Sequence, residues 1–359
     1  MEQTIKIPKK KIKFNPLLIF VFVVLMIYAL TIIGLLAWGF LTSLKTTLDF
    51  VDLANVLGLP DIGAHKEMYL ENYQKYLDHV AMGGDPSQTQ MWTAAYDRYQ
   101  LALKNLRMDN YMKAIRNFGR FDTGDWSYIS MFGPVQKLNF RPNFLQTLWN
   151  SIFYAVFGAL AHAGTTLVVG YLCSKYKYKF SSIVYSTVVV IMVIPIVGAQ
   201  PSMIEMMKTL AIFDSYVGMI FQKISFTGIY FLVFYAYYLG LSDAYIEAAE
   251  IDGASQIRVF TMIIIPLASK MFWTVFILDF IGMWNDYTTP LLYFPTHPTV
   301  SYAIFRMVGT TEGPARDPES QGPPQYIAGC MILALPMIIL FTFMSDRIMG
   351  NVSMGGLKE

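Results

Sequence analysis

The chain has 359 residues, of which 55% are hydrophobic, 15% aromatic and only 14% charged, against about 25% charged in soluble globular domains. That mixture excludes an ordinary soluble enzyme and places the chain in a bilayer, while a formal net charge of +2 gives no basic footprint for nucleic acid. Cys173 and Cys330 both lie in apolar stretches, and His65, His79, His162 and His297 show no paired metal spacing, so neither a disulfide framework nor a metal centre is expected.

A membrane-crossing helix needs about 20 mostly apolar residues, and six such windows follow in chain order. Residues 1–13 form a basic cytoplasmic N-terminus ("KIPKKKIK"), and 14–44 form the first span, "FNPLLIFVFVVLMIYALTIIGLLAWGFLTSL". Its apolar core is too long for a signal peptide and no small-residue cleavage site follows, so it reads as an anchor. Residues 45–142 are a polar, Tyr- and Asn-rich segment. Within it "MWTAAYDRYQLALKNLRMDNYMKAIRNFG" has apolar residues at helical spacing, with turn signals "MGGDPSQ" before and "DTGDW" after. A small helical cap outside the membrane is expected there, a partly disordered loop being the alternative.

The second span covers about 143–174 and the third about 180–204, joined by "SKYKYK", whose lysines mark a short cytoplasmic loop. The fourth falls near 224–242, the fifth at 271–294 and the sixth at 326–344, giving cytoplasmic N- and C-termini by alternation. Pro195, Pro201, Pro290 and Pro336 are candidate kink sites. No internal repeat favours an inverted-repeat transporter.

Between the fourth and fifth spans lies "YIEAAEIDGASQIRVFTMIIIPL". Ser242 or Asp243 is placed to cap a helix, Gly253 to stop it, and a second helical run is expected to end at Pro266. Ala248, Ala249, Ala254 and Gly253 carry little bulk, so another backbone has room to approach, with Glu247, Asp252 and Arg258 as charged anchors. A docking surface and a solvated amphipathic linker both fit; the linker would favour Lys and Arg.

The spacing of Glu247-Ala248-Ala249, Gly253, Ile263 and Pro266 resembles the EAA motif of permease subunits in binding-protein-dependent ABC importers, with Ile265 standing where Leu is usual. "WNDYTTPLLYF" and the tail "DRIMGNVSMGGLKE" extend the resemblance to carbohydrate-uptake permeases, specifically the smaller subunit of the maltose-type pair. It implies an all-α integral membrane protein of the type I ABC importer permease fold, with six transmembrane helices, a core at 143–345 and a cytoplasmic tail at 346–359. The segment after "LENY" (70–73) is then an extra helical insertion between helices 1 and 2.

The resemblance also implies that the 243–266 hairpin enters a cleft of a cytoplasmic ATPase, led by Glu247 with Ala248, Ala249, Asp252, Gly253, Ile263 and Pro266, and that Gly355, Gly356, Leu357 and Lys358 lie against the same subunit. The implied partners are a second related permease, two ATPase subunits and an extracytoplasmic solute-binding protein, toward which 296–325 reaches unless it is a simple tether. The implied cargo is a carbohydrate. No phosphate-binding glycine loop occurs, so ATP and Mg belong on the ATPase partner, this chain holding no cofactor and not being an enzyme.

Asp279 and Asp286 lie in or beside the fifth span, where an ionised carboxylate needs a polar cavity or a partner. Trp284, Asn285, Asp286 and Tyr287 are the candidate translocation path, with Trp273 a further aromatic; packing or interfacial anchoring is the plainer role for such rings. For Asp279 and His162 a structural bond between helices is expected. An ion-coupled secondary transporter and an ABC permease for a non-sugar solute are the competing readings; a membrane enzyme lacks any catalytic constellation.

Overall fold

The structure, a computed structural model, describes residues 16–51, 57–60, 63–105, 109–118, 143–194, 198–309 and 322–352, and among these every regular element is a helix. The chain divides into two compact units, one of residues 1–110 with 322–331, the other of 111–321 with 332–359.

In the first unit, α1 (Pro16–Ser43) is apolar on every side, and Phe20, Leu25, Tyr28, Ile33 and Leu35 are all exposed. Such a helix needs an apolar solvent, and 28 residues at about 1.5 Å each exceed the ~30 Å hydrocarbon layer. At its end a polar knot begins. The Asn110 amide donates to the Ser43 and Lys45 carbonyls, each at 2.8 Å, satisfying acceptors that a helix terminus leaves unpaired. Thr46 Oγ1 caps α2 (Thr47–Val51) by accepting from the Asp49 N–H at 3.1 Å, and lies 2.8 Å from His65 Nε2.

Helices α3 (Gly63–Ala81) and α4 (Gln90–Asn105) form a hairpin whose turn uses Gly83 at φ +85°. Its seam is aromatic: Tyr69, Tyr73 and Tyr76 at helical spacing meet Trp92, Tyr96 and Tyr99, with ring centroids 5.3 to 6.4 Å apart. The expected helical segment is thus α4 followed by α5 (Asp109–Asn117). Helix α3 carries too little periodic apolarity to stand out in the sequence.

In the second unit, α6 (Phe144–Lys175) is the central post. Ser151, Ala155, Ala159 and Ala163 recur every four residues along its buried face, the small-residue stripe that lets membrane helices approach closely. Gly170 takes this furthest, since a Cβ there would lie 2.9 Å from Phe234 Cβ and 3.2 Å from the Tyr235 backbone nitrogen. Helix α7 (Lys179–Val193) has only 15 residues, about 22 Å. The expected third span therefore ends early, and Gly198, at φ +82°, starts a separate helix α8 (Ala199–Thr209). Pro195 lies outside the described residues. Pro201 does not kink a span but sits in the first turn of α8, where its missing N–H costs nothing.

Helix α9 (Tyr216–Phe221) precedes α10 (Ile229–Leu239), which is shorter than the expected fourth span and bends by 65° into α11 (Ala244–Ile251). The fifth span differs most. Helix α12 runs without a break over Gln256–Asn285, starting well before residue 271, and the second run of the hairpin does not stop at Pro266. A π turn over Phe260–Ile264 carries it through, with the Ile265 N–H donating to the Phe260 carbonyl. Pro266 has no N–H for Met262 and its ring would crowd that carbonyl; widening the turn relieves the crowding.

Residues 286–294 form no part of that span. They turn into α13 (Thr288–Tyr293), with Pro290 in its first turn rather than at a kink, followed by α14 (Val300–Gly309). The start of α14 is stitched to α6: the Ser151 hydroxyl accepts from the Val300 N–H at 2.7 Å, and the Asn150 amide donates to the Pro298 carbonyl at 3.0 Å. Helix α15 (Pro323–Val352) is longer than the expected sixth span and holds Pro336 in its interior. By length and composition α1, α6, α12 and α15 can cross a membrane, α10 and α11 pass that test only when the bent pair is counted as one span, and α7 is a shorter apolar helix.

Candidate functional site

Two features of the second unit concentrate polar chemistry. The first is an open cavity of about 450 Å³ lined by His162 of α6, Gln222, Lys223 and Ser225 of the α9–α10 connection, Tyr230 of α10, and Asp279, Gly282 and Asp286 on or just past α12. Its carboxylates are held in place. Asp279 Oδ2 is 2.8 Å from His162 Nδ1. Asp286 accepts the Tyr154 hydroxyl at 2.8 Å and the Thr289 N–H at 3.0 Å, and its own carbonyl accepts from Ser301. Lys223 Nζ stands 3.9 Å from Asp286 Oδ2 and 5.2 Å above the Tyr154 ring, a cation–π distance. Gly158 makes room for it: a Cβ there would meet Met283 Sδ at 2.7 Å and Lys223 Cγ at 3.3 Å.

The second feature is the bend at 240–256. Helix α11 ends in a two-bond C-cap, Ala254 N–H to Ala249 O and Gly253 N–H to Glu250 O, with Gly253 at φ +77°, a conformation only glycine adopts without strain. At the other end Ser242 Oγ accepts from the Ala244 N–H at 3.3 Å, while Asp243 holds the cap position and spends its carboxylate on Lys175 at 2.6 Å. The hydrogen bond and charge of Lys175 hold the Asp243 carboxyl below the usual carboxylate range, Lys177 adding to the effect. Tyr176 donates to the Gln256 side-chain oxygen at 2.5 Å, and the Gln256 amide in turn donates to Glu250.

The predicted residues separate in this frame. Glu247, Ala248, Asp252 and Gly253 are exposed on the bend together with Tyr245, Ile251 (87% exposed) and Ile257 (77%). Ala249 faces the other way, buried against the chain's own core. Ile263 is half-buried in the π turn and Pro266 exposed beyond it. Gly355, Gly356, Leu357 and Lys358 lie outside the described residues. In the path block only Asp286 lines the cavity. Trp284 is buried and donates to the Leu333 carbonyl at 2.9 Å, Asn285 bonds back to Ile281, and Tyr287 stacks on Phe305 at 4.3 Å. Trp273 packs among Phe272 and Phe276. His162 and Asp279 do bond across two helices as expected, and they line the cavity as well.

Residues 166–354, more than half the chain, match the family described as binding-protein-dependent transport system inner membrane component. The chain belongs to that family. It is 25% identical over 216 residues to the arabinooligosaccharides transport system permease protein AraQ of Bacillus subtilis (strain 168), covering 60% of this chain and 74% of that protein. It is also 25% identical over 267 residues to the probable starch degradation products transport system permease protein AmyC of Thermoanaerobacterium thermosulfurigenes, covering 71% and 82%. A crystal structure of a bacterial ABC transporter involved in the import of the acidic polysaccharide alginate shares the fold, with a TM-score of 0.61 at 17% identity over 95% of this chain and 99% of that one.

The two features differ in chemistry. The cavity supplies fixed donors and acceptors between α6, α10 and α12. The bend presents acid and apolar groups on a capped, braced turn. The sequence reading missed Lys223, Gln222, Tyr230 and Tyr154. A lone lysine inside "GMIFQKISFTGIYF" was the signal available for the first; nothing in the one-dimensional pattern marks the other three.

Proposed function

We propose that this chain is the transmembrane permease subunit of an ATP-driven ABC importer for a carbohydrate, with an oligosaccharide as the expected cargo. The observation that carries the reading is the family match over 166–354 falling on a chain whose EAA residues Glu247, Ala248, Asp252 and Gly253 are solvent-facing on a glycine-capped bend. The sugar class rests on what the relatives are named for, arabinooligosaccharides and starch degradation products.

In this reading the subunit pairs with a second related permease, two ATPase subunits and an extracytoplasmic binding protein. Both termini are cytoplasmic, the bend seats in an ATPase cleft, and the 346–359 tail, with Gly355, Gly356, Leu357 and Lys358, lies on the same subunit. ATP and Mg are held by the ATPases. Ile251 and Ile257 supply exposed apolar area for that seat, with Glu247 and Asp252 as its charged anchors. Closure of the ATPases pushes the bend, and α12, continuous from Gln256 to Asn285, carries the displacement to the cavity as a rigid lever.

The test is to purify the complex through this chain, identify the accompanying ATPase, permease and binding protein, and measure sugar-stimulated ATP turnover and uptake in proteoliposomes. Co-purification with ATP-dependent oligosaccharide uptake is expected. Uptake driven by an ion gradient in liposomes holding this chain alone would overturn the proposal.

A further inference from the structure

We propose that the cavity around Lys223 is a subsite for a neutral saccharide, with the Lys223 ammonium donating to hydroxyl or ring oxygens and Asp279 and Asp286 accepting from hydroxyl hydrogens. The inference rests on the importer reading above and narrows its solute.

The argument begins with an unspent donor. Lys223 has only 20% of its side chain exposed, and the one carboxylate oxygen within 4 Å of its Nζ among the described residues is Asp286 Oδ2, at 3.9 Å. That is past hydrogen-bond reach. The Tyr154 hydroxyl already occupies this oxygen at 2.8 Å, and the ammonium rests over the Tyr154 ring instead. An ammonium carries three N–H donors, and a largely buried one is stabilised by oxygens that reach it. The cavity, at about 450 Å³, falls in the range of ~300–1,000 Å³ typical of small-molecule sites.

Charge then selects the ligand. The walls hold the Lys223 ammonium and two carboxylates, Asp279 paired with the His162 imidazole and Asp286 beside Lys223. An anionic uronate or phosphate drawn to Lys223 meets Asp286 within about the same radius, and like charges repel strongly away from bulk water. A cationic amino sugar drawn to Asp286 meets the Lys223 ammonium, which stands 3.9 Å from that carboxylate. A polyhydroxyl ligand without charge uses both kinds of wall at once, because each hydroxyl both donates and accepts. Tyr230, Leu278 and Met283 line the remaining wall and offer an apolar face to sugar C–H groups. Gly282 also lines the cavity, and among the described residues nothing lies within 4 Å of a built Cβ there, so a side chain added at that position has open space to enter.

The experiment uses the complete transporter in proteoliposomes with two labelled probes, a mixture of neutral arabino- and malto-oligosaccharides and an oligouronate. Wild type is expected to carry the neutral probe at least 10-fold faster than the acidic one. Lys223→Met and Gly282→Leu, which alter the cavity from different elements, are each expected to cut neutral uptake at least 10-fold. Sugar affinity of the isolated binding protein stays unchanged, loaded binding protein still stimulates ATP turnover, and Lys223→Arg recovers part of the uptake. Wild-type rates in both Lys223→Met and Gly282→Leu would overturn the subsite, as would equal wild-type uptake of the oligouronate. The importer reading fails separately, if wild type carries neither probe and ATP turnover ignores the loaded binding protein.

Discussion

Lys175 Nζ lies 2.6 Å from the Leu241 carbonyl oxygen and 2.6 Å from Asp243 Oδ1, so the last residue of α6 fastens the entry to the bend. The next residue, Tyr176, reaches its exit through Gln256. The two contacts of Lys175 differ in weight. Leu241 follows the end of α10, where carbonyls lack helical partners, and Lys175 is largely buried while Asp243 is 69% exposed. A charged donor on a sheltered carbonyl is worth about 1.5–3 kcal/mol; an exposed ion pair contributes little. Lys175→Met is therefore expected to lower ATP-driven uptake several-fold while basal ATP turnover persists, and Asp243→Asn to leave uptake near wild type. Equal losses in the two variants would show that the ion pair, not the carbonyl bond, braces the bend.

Gly253 separates backbone strain from partner contact. Its φ of +77° penalises a side chain, yet among the described residues no other atom lies within 4 Å of a built Cβ. Gly253→Asn is expected to keep most of the coupling because asparagine tolerates the left-handed region, whereas Gly253→Ala costs about 1–2 kcal/mol. Gly253→Trp adds bulk that only another subunit could feel. ATP turnover stimulated by loaded binding protein is expected to fall in the order Asn, Ala, Trp. If Trp behaves like Ala, no partner surface approaches this glycine.

His65 gives the polar knot at the end of α1 a pH dependence. Burial holds its imidazole below the usual histidine range and the Arg98 charge pushes the same way, with Asp49 opposing both. The unfolded chain then binds a proton more readily than the folded one. The stabilising contribution of His65 is fully present above about pH 6.5 and is lost as pH falls through the lower folded value. Thermal melting in detergent is expected to drop between pH 7 and pH 5 in wild type, and the slope to flatten in His65→Gln. An unchanged slope in that variant would place the acid sensitivity elsewhere.

Trp284 tests the difference between a path residue and a packing residue. Its indole N–H is spent on the Leu333 carbonyl and its ring lies parallel to Phe280 at 5.8 Å. Trp284→Phe is expected to cost about 1 kcal/mol of stability for the lost bond and to leave the relative uptake of different sugars unchanged. A shifted sugar preference without a lower melting temperature would return Trp284 to the translocation path.

What the sequence made legible follows from which forces act locally. Apolar runs announced α1, α6, α12 and α15 because a bilayer-crossing helix needs about 20 apolar residues, and Gly253 announced its stop because one backbone conformation favours one residue. Pro266 misled for an instructive reason: a proline ends a helix only if the preceding turn stays α, and here five π residues absorb it. The break after Val193 escaped notice because Ile194 to Ile204 carries no charged residue, so that Pro195 and Pro201 read as kinks in a continued span. Lys223, Tyr154 and Asp286 meet only through tertiary packing, at separations of 63 residues or more along the chain, beyond the reach of any local pattern.

The close approach of α6 and α10 at Gly170 supports the last prediction. Here φ is helical, so a side chain meets no backbone penalty, and the obstacle is purely steric: Phe234 Cβ at 2.9 Å and the Tyr235 backbone nitrogen at 3.2 Å. Backbone cannot yield as a flexible side-chain end would, so α10 must move bodily away. Gly170→Ala is expected to cost about 1–3 kcal/mol as an overpacked contact, and Gly170→Val more. Because α10 leads directly into the bend at 240–256, the displacement should register there too. Stimulated ATP turnover should fall in step with the melting temperature across the series Gly, Ala, Val. A series that loses stability while coupling stays constant would show that α10 and the bend move independently, and that the lever runs through α12 alone.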